Sequence, residues 1–335
     1  MKKLIYTLIL ILIFSIFLSS CANLNNDNDT LSSTLSKTET SNSTQSENST
    51  PLSASKPTAP FGYNNLNKTQ QNLYNLLVSG GITEEQPFNF TGDEDVVNKY
   101  LAALTLYQMN VNRVSAWNTK HYHIAYDEET ITRPVAIVEI EGFDNRGNYG
   151  NMLKLFNEKT EEYLLLLPDK KADDYTKVKA IAELLSKNVS YNFAAYPYSG
   201  IEPSNNKEKD IARYASQDYG AIVNGSAICT GYAAAFQYLC GLLDVYSIYV
   251  EGFITTNDIG HAWNMVYIDG AYYHVDVTFM SGEDTFDETG FLMSDEEISI
   301  DRYGIYYGDQ TGWSFDPYLA DLFKLPVADK KHVSR

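Results

Sequence analysis

The 335 residues suffice for one large domain or two modest ones with a proper core. Apolar residues make up 44% and charged residues 20%, an ordinary globular balance. A net charge of -18 repels phosphate backbones, which argues against nucleic acid as a partner, and it disfavours adsorption to anionic lipid.

The chain opens on a targeting pattern. Lys2 and Lys3 form a positive start, Leu4 to Leu18 an apolar run, and Leu18-Ser19-Ser20-Cys21 reads as the lipobox of a bacterial lipoprotein precursor. The run is short for a spanning helix. Cleavage would make Cys21 the lipidated N-terminus, and lipoproteins carry more than the one acyl chain that gives only marginal anchoring. The expected location is the extracellular face of the cell membrane, lipid-anchored. Residues 22 to 60 are Ser, Thr, Asn, Pro and Lys with almost no large apolar side chains, which predicts a disordered tether with an r.m.s. span of roughly 35 Å.

Residues 61 to about 170 read as mainly helical with a strand region. Leu66, Leu73, Leu76 and Leu77 recur at helical spacing before Gly80-Gly81. Tyr100 to Met109 predicts a helix and Val135 to Ile140 a strand. Helices are expected over 150–166 and 174–188, the second with an apolar stripe of Tyr175, Val178, Ile181, Ala182 and Leu185. No internal repeat is visible.

The informative stretch runs from 219 to 279. Ser226 is a good N-cap, after which Cys229, Ala233, Phe236, Cys240 and Leu243 fall on one helical face, and Gly241 lies near the expected end. Strands are expected over Val245 to Phe253, His261 to Ile268 and Ala271 to Phe279, the last two joined by Asp269-Gly270, a strong hairpin signal.

With Ser226 as N-cap, Cys229 occupies the third helical position, among free amides at the positive end of the helix dipole. That environment favours thiolate over thiol and also suits an oxyanion. Gly225, Ser226, Ala227, Thr230 and Gly231 leave room for a substrate. A cysteine taken alone is more often a buried, inert one. Eleven residues of helix would hold Cys229 and Cys240 roughly 16 Å apart, too far for a disulfide, which needs Cα atoms within about 7 Å.

A two-residue turn at Asp269-Gly270 pairs Ile268 with Ala271. Trp263 then faces Asp276, and His261 and Asp276 share a face as diagonal neighbours roughly 7 Å apart, within imidazole–carboxylate reach. The same register sets His274 opposite Met265, roughly 13 Å from His261. His121, His123 and His332 lie in segments without such partners. No Cys-x-x-Cys or His-x-x-x-His spacing supports zinc, and the acidic run Glu283 to Glu288 lacks the ligand spacing of a calcium loop. No metal and no cofactor is expected.

The stretches Tyr-Gly-Ala-Ile-Val-Asn-Gly-Ser-Ala-Ile-Cys-Thr-Gly-Tyr-Ala (219–233), Gly-His-Ala-Trp-Asn (260–264) and Tyr-His-Val-Asp-Val-Thr-Phe (273–279) resemble the three core motifs of the transglutaminase-like superfamily. Val178-Lys179-Ala180-Ile181 and Asn188-Val189-Ser190-Tyr191 resemble the helix before that core. The key positions stand 32 and 15 residues apart, and the resemblance covers roughly 170 to 280. It implies an α+β, papain-like fold, with the nucleophile helix packed on an antiparallel sheet. It also implies Cys229 as nucleophile, His261 as general base and acid, and Asp276 as the group orienting the imidazole. The family's oxyanion helper is an upstream aromatic or amide side chain, for which Tyr219 and then Asn224 are the candidates. Trp263 is either a wall of the cleft or a core tryptophan.

Together these readings divide the chain into a signal peptide (1–20), a lipidated cysteine with its tether (21–60), a mainly helical region (61–170) and a catalytic domain with a C-terminal extension (171–335). The expected activity is thiol-dependent acyl transfer on peptide or protein amides, with hydrolysis favoured over transamidation because a tethered extracellular cleft is open to water. Two alternatives stay open. One is a non-catalytic lipoprotein that binds peptide or cell-wall strands in the same cleft. The other is a receptor for a small solute, although no duplicated βαβ pattern is visible.

Overall fold

A computed structural model describes residues 56–79, 88–91, 121–124, 132–138, 146–196, 200–256, 259–280, 288–306 and 322–332. Cys21 and the helix expected over Tyr100 to Met109 lie outside the described residues. Residues 56–60, read as the end of the tether, are described, and the Lys56 ammonium sits 2.8 Å from the Asp174 carboxylate.

The region before 170 holds helix α1 (Lys68–Ser79), strands β1 (Phe88–Thr91), β2 (His121–Ile124) and β3 (Thr132–Val138), and helix α2 (Arg146–Leu166). The strands form an antiparallel sheet in the order β1-β3-β2. A three-stranded sheet was not legible in this region, because four-residue segments such as Phe-Asn-Phe-Thr are too short for period-two alternation to register.

Helix α3 (Asp174–Asn188) starts where expected. The Asp173 carboxylate accepts the Thr176 amide as an N-cap, and Val178, Ile181, Ala182 and Leu185 are wholly buried. Full burial of each such large aliphatic contributes about 1.5–3 kcal/mol. Strand β4 (Ser190–Tyr191) and helices α4 (Asn206–Arg213) and α5 (Asp218–Ile222) follow.

The helix bearing Cys229 starts later than the sequence suggests. Ser226 and Ala227 form β5, paired in parallel with β4, and helix α6 runs over Cys229–Leu242 with Ile228 as its N-cap. Ser226 is not the cap, because its backbone pairs with Ser190 and its hydroxyl accepts a hydrogen bond from Asn192 at 3.0 Å. Cys229 is therefore the first helical residue, not the third. The helix is buried nearly all round rather than on one face, as befits a central helix. At Gly231 a Cβ would stand 2.2 Å from the Ala215 carbonyl oxygen, so only glycine lets α6 approach this close.

Four antiparallel strands complete the core in the order β8-β7-β6-β9: β6 (Ser247–Ile254), β7 (Ile259–Ile268), β8 (Ala271–Val275) and β9 (Arg302–Tyr306). Helix α6 packs on β6 and β7, the expected helix-on-sheet α+β arrangement. Asp269 (φ 50°) and Gly270 (φ 83°) both take left-handed conformations, as a two-residue type I′ hairpin requires. Ile268 pairs with Ala271 and Met265 with His274, as the turn predicts. Strand β8 stops at Val275 and does not reach Phe279. The Asp276 amide donates to the Gly290 carbonyl, and the Asp276 carbonyl accepts from Phe279, which turns the chain away from the sheet. Residues 261–268 of β7 are all buried, so both faces of the sheet are covered there. Helix α7 (Asp295–Ile298), held by a Ser294–Glu297 capping box, closes the described fold beside β8.

Candidate active site

Cys229 begins α6, His261 stands near the start of β7, and Asp276 lies one residue past β8. His261 Nε2 and Asp276 Oδ2 are 2.7 Å apart, so the diagonal contact inferred from the hairpin register forms. Cys229, buried at the start of α6, acts on the same imidazole and helps to raise its pKa. Asn264 fixes the helix against the strand, its amide donating to the Ala233 carbonyl at 3.1 Å.

Asp276 is 0% exposed and His261 6%. Burial alone would lower the imidazole's pKa. The Asp276 charge and hydrogen bond, with a contribution from Cys229, outweigh it and raise that pKa to about 9. For Asp276, burial raises the pKa, but the charges and hydrogen bonds of His261 and Arg302 bring it below the usual carboxylate range.

Arg302 is the residue the sequence did not announce. It opens β9, is 2% exposed, and donates from Nη2 to the same Asp276 Oδ2 at 2.7 Å. Its guanidinium lies 4.0 Å from the centre of the Phe279 ring, and that ring meets His261 edge-on at 5.2 Å. Phe279 is 41% exposed and forms part of the open side of the site.

Trp263 is buried and its ring stacks on His261, with centroids 5.9 Å apart. Its indole N–H donates to His274 Nδ1 at 3.0 Å, and His274 Nε2 contacts Asp295 Oδ1 at 2.9 Å. Of the two roles open to Trp263, the structure places it as core, supporting the imidazole from behind. A Cβ at Gly252, the residue paired with His261, would stand 2.7 Å from the Trp263 ring, so glycine here makes room for the indole.

Tyr219 lies in the core with its ring against Phe156 and Tyr214, and Asn224 follows α5, its amide bonded to the Tyr219 carbonyl. The tyrosine whose hydroxyl feels both Cys229 and Asp276 is Tyr191 on β4; burial, then Cys229, push its pKa up. The Asn-Val-Ser-Tyr motif holds this tyrosine, but nothing local ties it to Cys229. Cys229 and Cys240 are both free, and burial pushes the Cys240 thiol well up.

Residues 167–277 match the family described as the transglutaminase-like superfamily. Human kyphoscoliosis peptidase is 29% identical over 119 residues, which cover 32% of this chain and 16% of that protein. The chain thus spans about a sixth of that relative's length. A solved structure described as a TGase aligns at 15% identity with a TM-score of 0.32, covering 48% of this chain and 44% of that one. A candidate cysteine protease from Cytophaga hutchinsonii aligns at 20% identity with a TM-score of 0.27, covering 38% and 42%. Residues 167–277 form a transglutaminase-like domain.

Proposed function

We propose that this domain catalyses thiol-dependent acyl transfer on peptide or protein amides, with hydrolysis as the main outcome. The observation that carries the reading is the buried 2.7 Å contact of His261 Nε2 with Asp276 Oδ2, with a buried Cys229 that acts on the same imidazole. Cys229 Sγ attacks the amide carbonyl carbon while its proton passes to His261 Nδ1. The oxyanion lies by the backbone amides at the very start of α6, ahead of the Gly231 amide, which already bonds the Ile228 carbonyl. The C–N bond breaks, His261 returns its proton to the departing amine, and a thioester remains on Cys229. Water, deprotonated by His261, then attacks the thioester, releasing the acid and restoring the thiol. Asp276 holds the imidazole and stabilises its charged form throughout.

Hydrolysis is favoured over transamidation because water needs no second binding site, and the peptidase name of the human relative supports the same choice. We place the protein at the outer face of the cell membrane, tethered through lipid on Cys21, on the strength of Lys2-Lys3, the apolar run and Leu18-Ser19-Ser20-Cys21.

The test is product analysis on a glutamine-containing peptide library, with and without a primary amine. New acid or new termini, lost in Cys229→Ala, support hydrolysis. Amine incorporation in preference to water assigns transamidation instead. Substrate binding without any product, unaffected by Cys229→Ala, would overturn the enzymatic reading. An unmodified Cys21 in the mature protein would overturn the anchoring.

A further inference from the structure

We infer that the site selects peptide bonds flanked on both sides by apolar side chains, with Phe193 and Phe279 as the residues that set this preference. The inference rests on the acyl-transfer reading above and names the class of substrate that reading takes.

Phe279 is held beside the His261 imidazole. Its ring meets His261 edge-on at 5.2 Å and lies 4.0 Å from the Arg302 guanidinium, and its backbone amide donates to the Asp276 carbonyl at 3.2 Å. Even so, the residue is 41% exposed. Phe193 is placed from the cysteine side. Tyr191 pairs with Ala227, and the Asn192 amide donates to the Ala227 carbonyl at 2.9 Å, two residues before Cys229. The Asn192 side chain then caps the short turn Phe193–Ala195, accepting the Ala195 amide at 2.9 Å. The Phe193 ring rests against Tyr191, with centroids 4.9 Å apart, and 59% of the residue stays exposed. Single exposed apolar side chains are ordinary on a protein surface. These two differ in being fixed, one on the histidine side of the site and one on the cysteine side. A ring already fixed loses little freedom when a ligand covers it.

The two rings serve opposite ends of the amide. In the proposed reaction the departing amine takes its proton from His261, so the first residue of that amine lies by the imidazole, where Phe279 stands. The acyl part stays on Cys229 as the thioester, so its last residue lies by β5 and the start of α6, on the side of Phe193. An apolar side chain at each position covers ring surface that water otherwise meets. A carboxylate finds no partner there. Arg302, the cation beside Phe279, is 2% exposed and already engaged by Asp276 and Asp301. The net charge of -18 also repels an acidic peptide.

The experiment is kcat/KM of the full chain on peptides varied at the two positions flanking the cleaved bond, Leu or Phe against Ser and Glu, with Cys229→Ala as the blank. Wild type should prefer the apolar residue at each position by about tenfold. Phe279→Ala should cut the preference on the amine side to within about twofold and keep that on the acyl side, and Phe193→Ala should do the reverse. Phe279→Leu, still apolar, should keep most of the preference. Each preference is a ratio within one protein, so a variant that merely folds poorly loses rate on all peptides alike and keeps its ratios. Should Phe279→Ala fail to fold, the wild-type ratios and Phe193→Ala, at the more exposed position, decide. Equal rates on apolar and polar peptides in wild type, or a ratio that its own variant leaves unmoved, overturn the proposal. No product from any peptide, or product that persists in Cys229→Ala, would instead sink the acyl-transfer reading.

Discussion

Two histidines of this sheet each contact an aspartate, and the two pairs are partnered differently. His261 touches Asp276, which is wholly buried and shared with Arg302, and Cys229 acts on the same imidazole. His274 touches Asp295, whose side chain is 48% exposed, and its other nitrogen accepts the indole N–H of Trp263. An indole N–H only donates, so His274 Nδ1 must accept, and Nε2 then carries the proton towards Asp295. Asp295 in turn accepts the Ala328 amide and so pins the C-terminal segment. On the proposed reading the first pair passes a proton to sulfur, whereas the second is a brace behind Trp263. A histidine beside an aspartate is therefore not a catalytic signature by itself; what occupies the other ring nitrogen decides.

The comparison can be broken in several ways, and the largest effect is expected at Asp276. Asp276→Asn should retain the fold and cost up to about four orders of magnitude in turnover by the precedent of serine-protease triads, less if the ion pair is preformed. Asp295→Asn should leave turnover within a few-fold of wild type and lower the melting temperature. Comparable losses in both variants, measured by steady-state kinetics and thermal melts, would mean that the two pairs are not distinct.

Gly252→Ala comes next. The new methyl would press on Trp263 at 2.7 Å and on the Tyr303 carbonyl at 2.9 Å, and overpacking of this kind costs about 1–3 kcal/mol. Denaturant titration should show that loss, with turnover falling because Trp263 stacks on His261. Unchanged stability would show that the sheet yields easily at this point.

The pH dependence of stability sharpens the same contrast. The folded pKa of His261 is raised from 6.5 to about 9, so its pairing contributes stability that is fully present below about pH 6.5 and fades as pH rises through about 9. The Asp276 pKa is lowered, so its contribution holds above about pH 4 and is lost as pH falls further. Melting temperatures should fall between pH 7 and 10, and His261→Gln should flatten that slope while His274→Gln keeps it. A slope untouched by His261→Gln would contradict the assignment.

Trp263→Phe should give the smallest effect. It keeps a ring against His261 but leaves His274 Nδ1 without its donor, a loss of about 1–3 kcal/mol for a buried acceptor. Stability should drop and turnover should hold.

Much of the candidate site was legible because its signals are local. The turn residues Asp269-Gly270 set the register, and the register alone brought His261 and Asp276 to one face. What escaped depends on tertiary partners. Arg302 reaches Asp276 from 26 residues further along the chain, across the sheet, with no pattern linking the two. Ser226 looked like a cap because of its residue type, but its pairing with Ser190, 36 positions earlier, won. The strand to Phe279 was overread, since a loop carbonyl at Gly290 takes the Asp276 amide.

The most direct test of the central claim needs no natural substrate. A p-nitrophenyl ester should acylate Cys229 and release a stoichiometric burst of p-nitrophenol, with the thioester visible in the intact mass. The burst should vanish in Cys229→Ala, slow by orders of magnitude in His261→Asn and Asp276→Asn, and match wild type in Asp295→Asn. A burst that survives in Cys229→Ala, or one that runs at the wild-type rate in Asp276→Asn, would contradict the account.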